Sequence, residues 1–207
     1  MKRKLSLFVV LLLSVALSAC NTQNSNTKEE EKGKQETNAQ ESSSKQENKK
    51  EADGTRTAPV PLKDAIYFDD YITTSDNEYS AELKMNVEEV IRGDKAFDVL
   101  YNRNSSVAQP KKGFEWALVK VKVKMTNSET DDEPLLFSPT LNFDFFKNDG
   151  SPYTQELDFV APKDFEGEVY NGGSLEGYIV NQVKKGDDFL IAYKSIYAGG
   201  KIFFKTK

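Results

Sequence analysis

An all-β chain folded as a two-sheet antiparallel β-sandwich with one short helix is what the sequence predicts, on three observations. Apolar and polar residues alternate at period two, most clearly where Ala117, Val119, Val121, Val123 and Met125 face one way and Lys120, Lys122 and Lys124 the other. Turn signals carrying glycine recur at short intervals, at Gly150, Gly172-Gly173, Gly186 and Gly199-Gly200. Helical spacing of apolar residues stands out at one place, Lys95 to Tyr101, and no internal repeat suggests a propeller or solenoid.

Taken in order, Tyr67 to Ile72 reads as a weak first strand, and Ala81 to Val90 as a half-buried one with Leu83, Met85 and Val87 inward. Lys95 to Tyr101 follows as a helix with Asp94 as its N-cap. Asn102 to Pro110 is a long polar loop, a place where function could sit, and Lys111-Lys112-Gly113 is a turn. Glu115 to Met125 is the clearest strand. Trp116 and Leu118 lie on its lysine face, so another element, such as the helix, should cover that end. Leu141 to Phe146 alternates Leu141, Phe143 and Phe145 against Asn142 and Asp144, turns at Asn148-Asp149-Gly150 and returns along Tyr153 to Phe159. Asp164 to Tyr170 is mixed in character, and Asn171-Gly172-Gly173 leads into a strand over Leu175 to Val183. There Gly177 marks a bulge or a close approach of another backbone. Phe189 to Tyr193 and Lys201 to Lys205 close the domain.

The first residues supply an address. Lys2, Arg3 and Lys4 precede an apolar core from Leu5 to Leu17, which is about 20 Å long as a helix and short of the roughly 30 Å of bilayer hydrocarbon. Residues 1–19 therefore read as an export signal. Its end, Leu17-Ser18-Ala19-Cys20, resembles the lipobox of bacterial lipoproteins. That resemblance implies cleavage before Cys20, a diacylglyceryl group on its thiol and attachment to the extracytoplasmic face of a cell membrane. Ordinary secretory cleavage is the competing reading, but Cys20 is the one cysteine of the 207 residues and stands where lipidation needs a thiol.

Asn21 to Ala58 has no aromatic residue and almost no aliphatic one, so it cannot offset the entropy of ordering and reads as a disordered tether. Residues 20–58 thus link the anchor to a single domain over 59–207, long enough to bury a core without disulfides. As a flexible coil the tether spans about 35 Å. From Pro59 onward 18 basic side chains meet 25 acidic ones, a net charge of -7. That balance argues against nucleic acid and against adhesion to anionic lipid.

The chain has no histidine, which excludes Ser-His-Asp and Cys-His hydrolases and His-ligated zinc, copper and haem. The remaining candidate groups are carboxylates: Asp69-Asp70, Asp131-Asp132-Glu133 and Asp187-Asp188. None has the loop spacing of a calcium site, and all three read as solvated turns. Lys120, Lys122 and Lys124 could meet an anionic wall polymer, but they read better as the wet face of a strand. Tyr153, Tyr170, Tyr178, Tyr193 and Tyr197 could form an adhesive surface or, more simply, fill the core and sheet margins.

The run Gly113-Phe114-Glu115-Trp116-Ala117-Leu118-Val119-Lys120-Val121-Lys122-Val123, with Asn127 beyond it, resembles the central strand of a family of uncharacterised Gram-positive secreted lipoproteins. Asp149-Gly150-Ser151-Pro152-Tyr153, Gly173-Ser174-Leu175-Glu176-Gly177-Tyr178-Ile179-Val180 and Lys185-Gly186-Asp187 fit its later parts, over roughly Ala81 to Lys207. Gly172-Gly173 and Val183-Lys184 stand where that family often has Pro-Gly and Val-Pro. The resemblance implies an immunoglobulin-like sandwich similar to a mycobacterial immunoprotective extracellular antigen, and it carries no catalytic residue. The expectation is a membrane lipoprotein with a non-catalytic interaction domain, without cofactor or metal, facing an extracytoplasmic protein or wall polymer. An accessory solute-binding or sensing lipoprotein is the alternative, which predicts a concavity between the helix-bearing loop and the sheet. A carboxylate-dependent cell-wall hydrolase is a third reading.

Overall fold

The computed structural model describes residues 54–155, 161 and 163–207. The signal segment, Leu17, Ser18, Ala19 and Cys20, the tether as far as residue 53, and the end of the return strand predicted after Tyr153 lie outside the described residues.

Alternation builds the larger sheet. Its strands β1 (Ala65–Thr73), β2 (Glu78–Arg92), β3 (Phe114–Ser128) and the later Ser174–Lys184 pair antiparallel in that spatial order. Leu83, Met85 and Val87 register against Met125, Val123 and Val121 on one face, and all six are fully buried. A register shift between Val87 and Glu89 adds a residue to β2, so that Val90, opposite Val119, still packs against the core. Facing this sheet is a smaller one. It contains β5 (Phe143–Lys147), β8 (Phe189–Tyr193) and β9 (Ile202–Lys205), which lends Phe143, Phe145, Phe189, Ile191, Tyr193 and Phe204 to the same core. In chain order, β4 (Leu135–Phe137) and β6 (Gly167–Val169) form a further two-stranded ribbon, and Ser174–Lys184 is β7. The fold is the expected antiparallel β-sandwich.

Helix α1 (Asp94–Arg103) covers the end of the large sheet's outer face, where Ala96, Leu100 and Val107 bury Trp116 and Leu118. A cover for those two residues was demanded by their position among the lysines. Asp94 is the first helical residue instead of the predicted N-cap; Gly93, at φ 66°, holds the cap position and donates its N–H to the Trp116 carbonyl at 3.0 Å. The polar loop 102–110 wraps this cluster, and its Ala108 carbonyl accepts the Trp116 indole N–H at 3.2 Å. It is scaffold rather than a free loop.

Two further expectations change, and a third is met. Residues 54–58, read as the end of the tether, form a turn in which the Gly54 carbonyl accepts from Phe203 N–H at 2.7 Å, and Val60 then runs parallel to β9. Leu141 does not alternate with Phe143: Pro139 starts a second helix, α2 (Pro139–Asn142), and its single turn rotates Leu141 outward. The hairpin after β5 forms as predicted at its turn, with Gly150 at φ 90° and Tyr153 N–H donating to the Phe145 carbonyl at 2.8 Å.

Gly177 is a close approach. A Cβ there would lie 2.5 Å from the Asp164 carbonyl oxygen, because the chain at Lys163 to Phe165 runs along β7 and exchanges hydrogen bonds with Tyr178.

Candidate functional site

Short elements that join the two sheets leave a cleft of about 550 Å³. In β4, Leu135 and Phe137 point into the core, which forces Leu136 between them to the outside. Leu136 registers opposite Glu168 of β6, so an apolar and an acidic side chain stand together on the ribbon's outer face. The single turn of α2 supplies Leu141, and the loop after β8 supplies Ile196 and Tyr197. Leu136 and Leu141 are each 57% exposed, Ile196 48% and Tyr197 51%. Scattered exposed apolar side chains are ordinary, but these four line one concavity whose floor is Ile72, Leu135 and Phe137. Glu166 and Glu168 also line it, and among the described residues no lysine or arginine does.

The Ile196–Tyr197 wall is fastened to the core through a buried carboxylate. Asp70 is 1% exposed and accepts from the Tyr193 hydroxyl at 2.5 Å, the Ser195 hydroxyl at 2.5 Å and the Tyr71 N–H at 2.7 Å. Ser195 Oγ in turn accepts the N–H groups of Tyr197 at 3.1 Å and Ala198 at 2.7 Å. Its proton and both lone pairs are thus engaged, which leaves nothing for nucleophilic attack. Burial, followed by the neighbouring Asp70 charge and its hydrogen bond, pushes the Tyr193 phenol well above its ordinary range. This corrects the reading of Asp69-Asp70 as a solvated pair. Asp70 points inward from β1, which has no second strand neighbour among the described residues, and an inward charge together with a capped Tyr71 N–H blunts such an edge.

Other candidates resolve into structure. Lys120 is held between Glu176 at 2.8 Å and Glu88 at 3.1 Å, and hydrogen bonds to Glu176 and then Glu88 keep its ammonium protonated well above the ordinary range. Tyr178 on this face reaches Glu89 at 3.4 Å. The lysine face therefore carries its own carboxylates and is not a one-sign surface for a polyanion. Asp187 and Asp188 pair with Lys184 at 3.5 Å and Lys207 at 2.5 Å. Asp131, Asp132 and Glu133 are exposed; Asp131 accepts from Asn171 at 2.7 Å, and no acid cluster able to hold a metal occurs among the described residues. The tyrosines divide: Tyr153 and Tyr193 are core, Tyr178 lies on the sheet, and Tyr170 and Tyr197 are exposed. Tyr197 lines the cleft and Tyr170 donates to Glu168 at 3.3 Å beside it. The Glu168 charge, burial and the Glu168 hydrogen bond, then Glu133, raise the Tyr170 phenol.

Neither Leu136 nor Ile196 was singled out by sequence. A possible signal was Leu135-Leu136-Phe137, three successive apolar residues of which a strand can bury two on one face. Cys20 and the lipobox residues lie outside the described residues.

Two crystal structures resemble the chain. A candidate lipoprotein (ycdA) of Bacillus subtilis aligns at 16% identity with a TM-score of 0.42, over 59% of this chain and 35% of its own, so the chain spans about a third of that protein. An uncharacterised β-sandwich protein of Clostridium difficile aligns at 12% identity with a TM-score of 0.37, over 72% of this chain and 95% of its own. No curated protein matches the chain. Over residues 80–202, more than half its length, the sequence matches the family described as domain of unknown function (DUF4352), and the chain belongs to that family.

Proposed function

We propose that this is a membrane lipoprotein, anchored through Cys20 on the extracytoplasmic face, whose β-sandwich is a non-catalytic binding module that receives its partner in the cleft between β4, α2 and the 196–197 loop. The likeness to a mycobacterial antigen rests on sequence motifs alone. The observation that carries the reading is the gathering of Leu136, Leu141, Ile196 and Tyr197, each about half exposed, around one concavity with a buried apolar floor. Such a site gains free energy by covering apolar surface, at roughly 25 cal/mol per Å².

Catalysis finds little support there. Glu168 lies in β6 and Glu166 just before it, so both line the cleft from one short stretch of chain, whereas a glycosidase needs carboxylates on opposite sides of the bond it cleaves. Solute binding keeps one argument: the volume falls within the roughly 300–1,000 Å³ of small-molecule sites. The concavity that reading predicts beside the helix is occupied by the packed Leu100, Val107 and Trp116 cluster, and half-exposed rim residues suit a macromolecular segment better than an enclosed solute.

The test is site-specific photocrosslinking in intact cells, with a benzophenone amino acid at Leu141, at Tyr197 and, as a control, at Lys122. Adducts formed from the first two positions and absent from the third support the proposal. Equal labelling from all three, or from none, overturns it. Incorporation of a labelled fatty acid into the wild-type chain and not into Cys20→Ser supports the anchor, and an unlabelled wild-type chain refutes it.

A further inference from the structure

We infer that the partner segment is a protein stretch with apolar side chains flanked by lysine or arginine, a deepening that rests on the cleft being the binding site. The apolar groove fixes half of the partner's chemistry, and its charge fixes the rest. Glu168 stands directly across from Leu136 on the ribbon, and Glu166 lines the same wall. Both are exposed, and among the described residues neither shares the lining with a cation. Glu133 lies near enough to act on the Tyr170 phenol together with Glu168, which places part of the exposed 131–133 loop on the same side of the cleft. The lysine face shows what a neutralised surface looks like in this protein, since Lys120 is bonded on both sides by carboxylates. Among the described residues the cleft rim lacks such compensation.

Carboxylates beside half-exposed leucines lower the local potential where a partner must approach, so positive charge flanking the inserted side chains is attracted and negative charge is repelled. The same field disfavours the other occupants. An anionic lipid surface or a phosphate-bearing polymer brings like charge to Glu166 and Glu168. A second copy docking cleft to cleft brings two acidic rims together. The tether has almost no aliphatic side chain to insert. Backbone pairing along β1, whose Ile72 and Thr73 end at the cleft, meets a Tyr71 N–H already taken by Asp70, so the recognition mode is insertion of side chains.

The experiment uses the chain from Asn21 onward, without the signal segment and Cys20, and two synthetic nonapeptides sharing a Leu-Phe-Leu centre, one flanked by three lysines on each side and one by three glutamates. Binding is followed by peptide anisotropy and by amide shifts at Leu136, Leu141, Ile196 and Tyr197. The expected result is at least tenfold tighter binding of the lysine peptide at 0.1 M salt. The ratio should shrink at 1 M, as the screening length falls from about 10 Å to about 3 Å, and the preference should reverse in Glu166→Lys/Glu168→Lys. Equal affinity for the two peptides, both lost in Leu141→Asp, overturns the basic-partner inference and leaves the cleft as the site. No shift at the four positions with either peptide overturns both. A dimer in solution that Leu141→Asp makes monomeric identifies a second copy as the occupant and overturns the inference.

Discussion

Replacing Tyr193 by phenylalanine removes one oxygen atom from the centre of the sandwich, and the structure sets the cost. The hydroxyl lies 2.5 Å from Asp70 Oδ2, and the carboxylate is 1% exposed with no lysine or arginine among its hydrogen-bond partners. Ser195 and the Tyr71 N–H both serve Oδ1, so the substitution strands Oδ2 in the interior. Hydrogen bonds to charged groups contribute about 1.5–3 kcal/mol, and an expected loss of about 2 kcal/mol at a urea slope of about 2 kcal/mol per M lowers the unfolding midpoint by about 1 M. Trp116, 3% exposed, provides the fluorescence signal for the titration. The alkaline limb supplies an independent readout. Because the folded state holds the Tyr193 phenol protonated well above its ordinary range, the unfolded chain releases that proton first as pH passes about 10. The unfolded state then binds fewer protons, and stability falls with rising pH at up to about 1.4 kcal/mol per pH unit from this group. Tyr193→Phe should remove that contribution from the slope. A midpoint change below about 0.3 M at pH 7, with an unaltered alkaline slope, would refute the account of Asp70 as a carboxylate that depends on Tyr193.

Two more outcomes are expected. Gly177→Ala drives a methyl group into the Asp164 backbone, with its nearest contact at 2.5 Å, and forces apart the Tyr178 N–H to Lys163 carbonyl bond of 2.7 Å; a loss of about 3 kcal/mol or failure to fold follows, and a wild-type thermal midpoint would count against the close approach. Burial alone would raise the Asp144 carboxyl, but hydrogen bonds from Lys201 at 2.7 Å and Lys194 at 3.2 Å outweigh it and hold the group below the usual carboxylate range. Its contribution is therefore present above the unfolded carboxylate pKa of about 4 and is lost as pH falls through the lowered folded value. Asp144→Asn should be less stable than wild type at pH 7 and converge with it in acid, and a constant difference from pH 7 to pH 2 would contradict the assignment.

Periodicity made the sheets legible. Over Ala81 to Val87 of β2, Val119 to Met125 of β3 and Gly177 to Asn181 of β7 burial alternates residue by residue, because a strand packed on one face sends every second side chain inward, and Trp116 and Leu118 among the lysines announced a cover that α1 provides. The close approach at Gly177 was readable for the same reason: a glycine inside an alternating strand marks missing room. Asp70 was not readable, since an adjacent pair of aspartates looks alike whether solvated or bonded to a tyrosine 123 residues away. Leu141 misled because an alternating pattern continued one step past the point where Pro139 had already started a helical turn.

What the sequence determined by itself was the antiparallel sandwich, the helix over Trp116 and the exclusion of histidine chemistry, all of which depend on residue type and local spacing. Only the tertiary structure decided the cleft. Its walls come from a three-residue strand, a single helical turn and a loop, elements too short to carry a period. Leu136, Leu141, Ile196 and Glu168 become neighbours through packing of the two sheets, a relation between distant residues that no local pattern encodes.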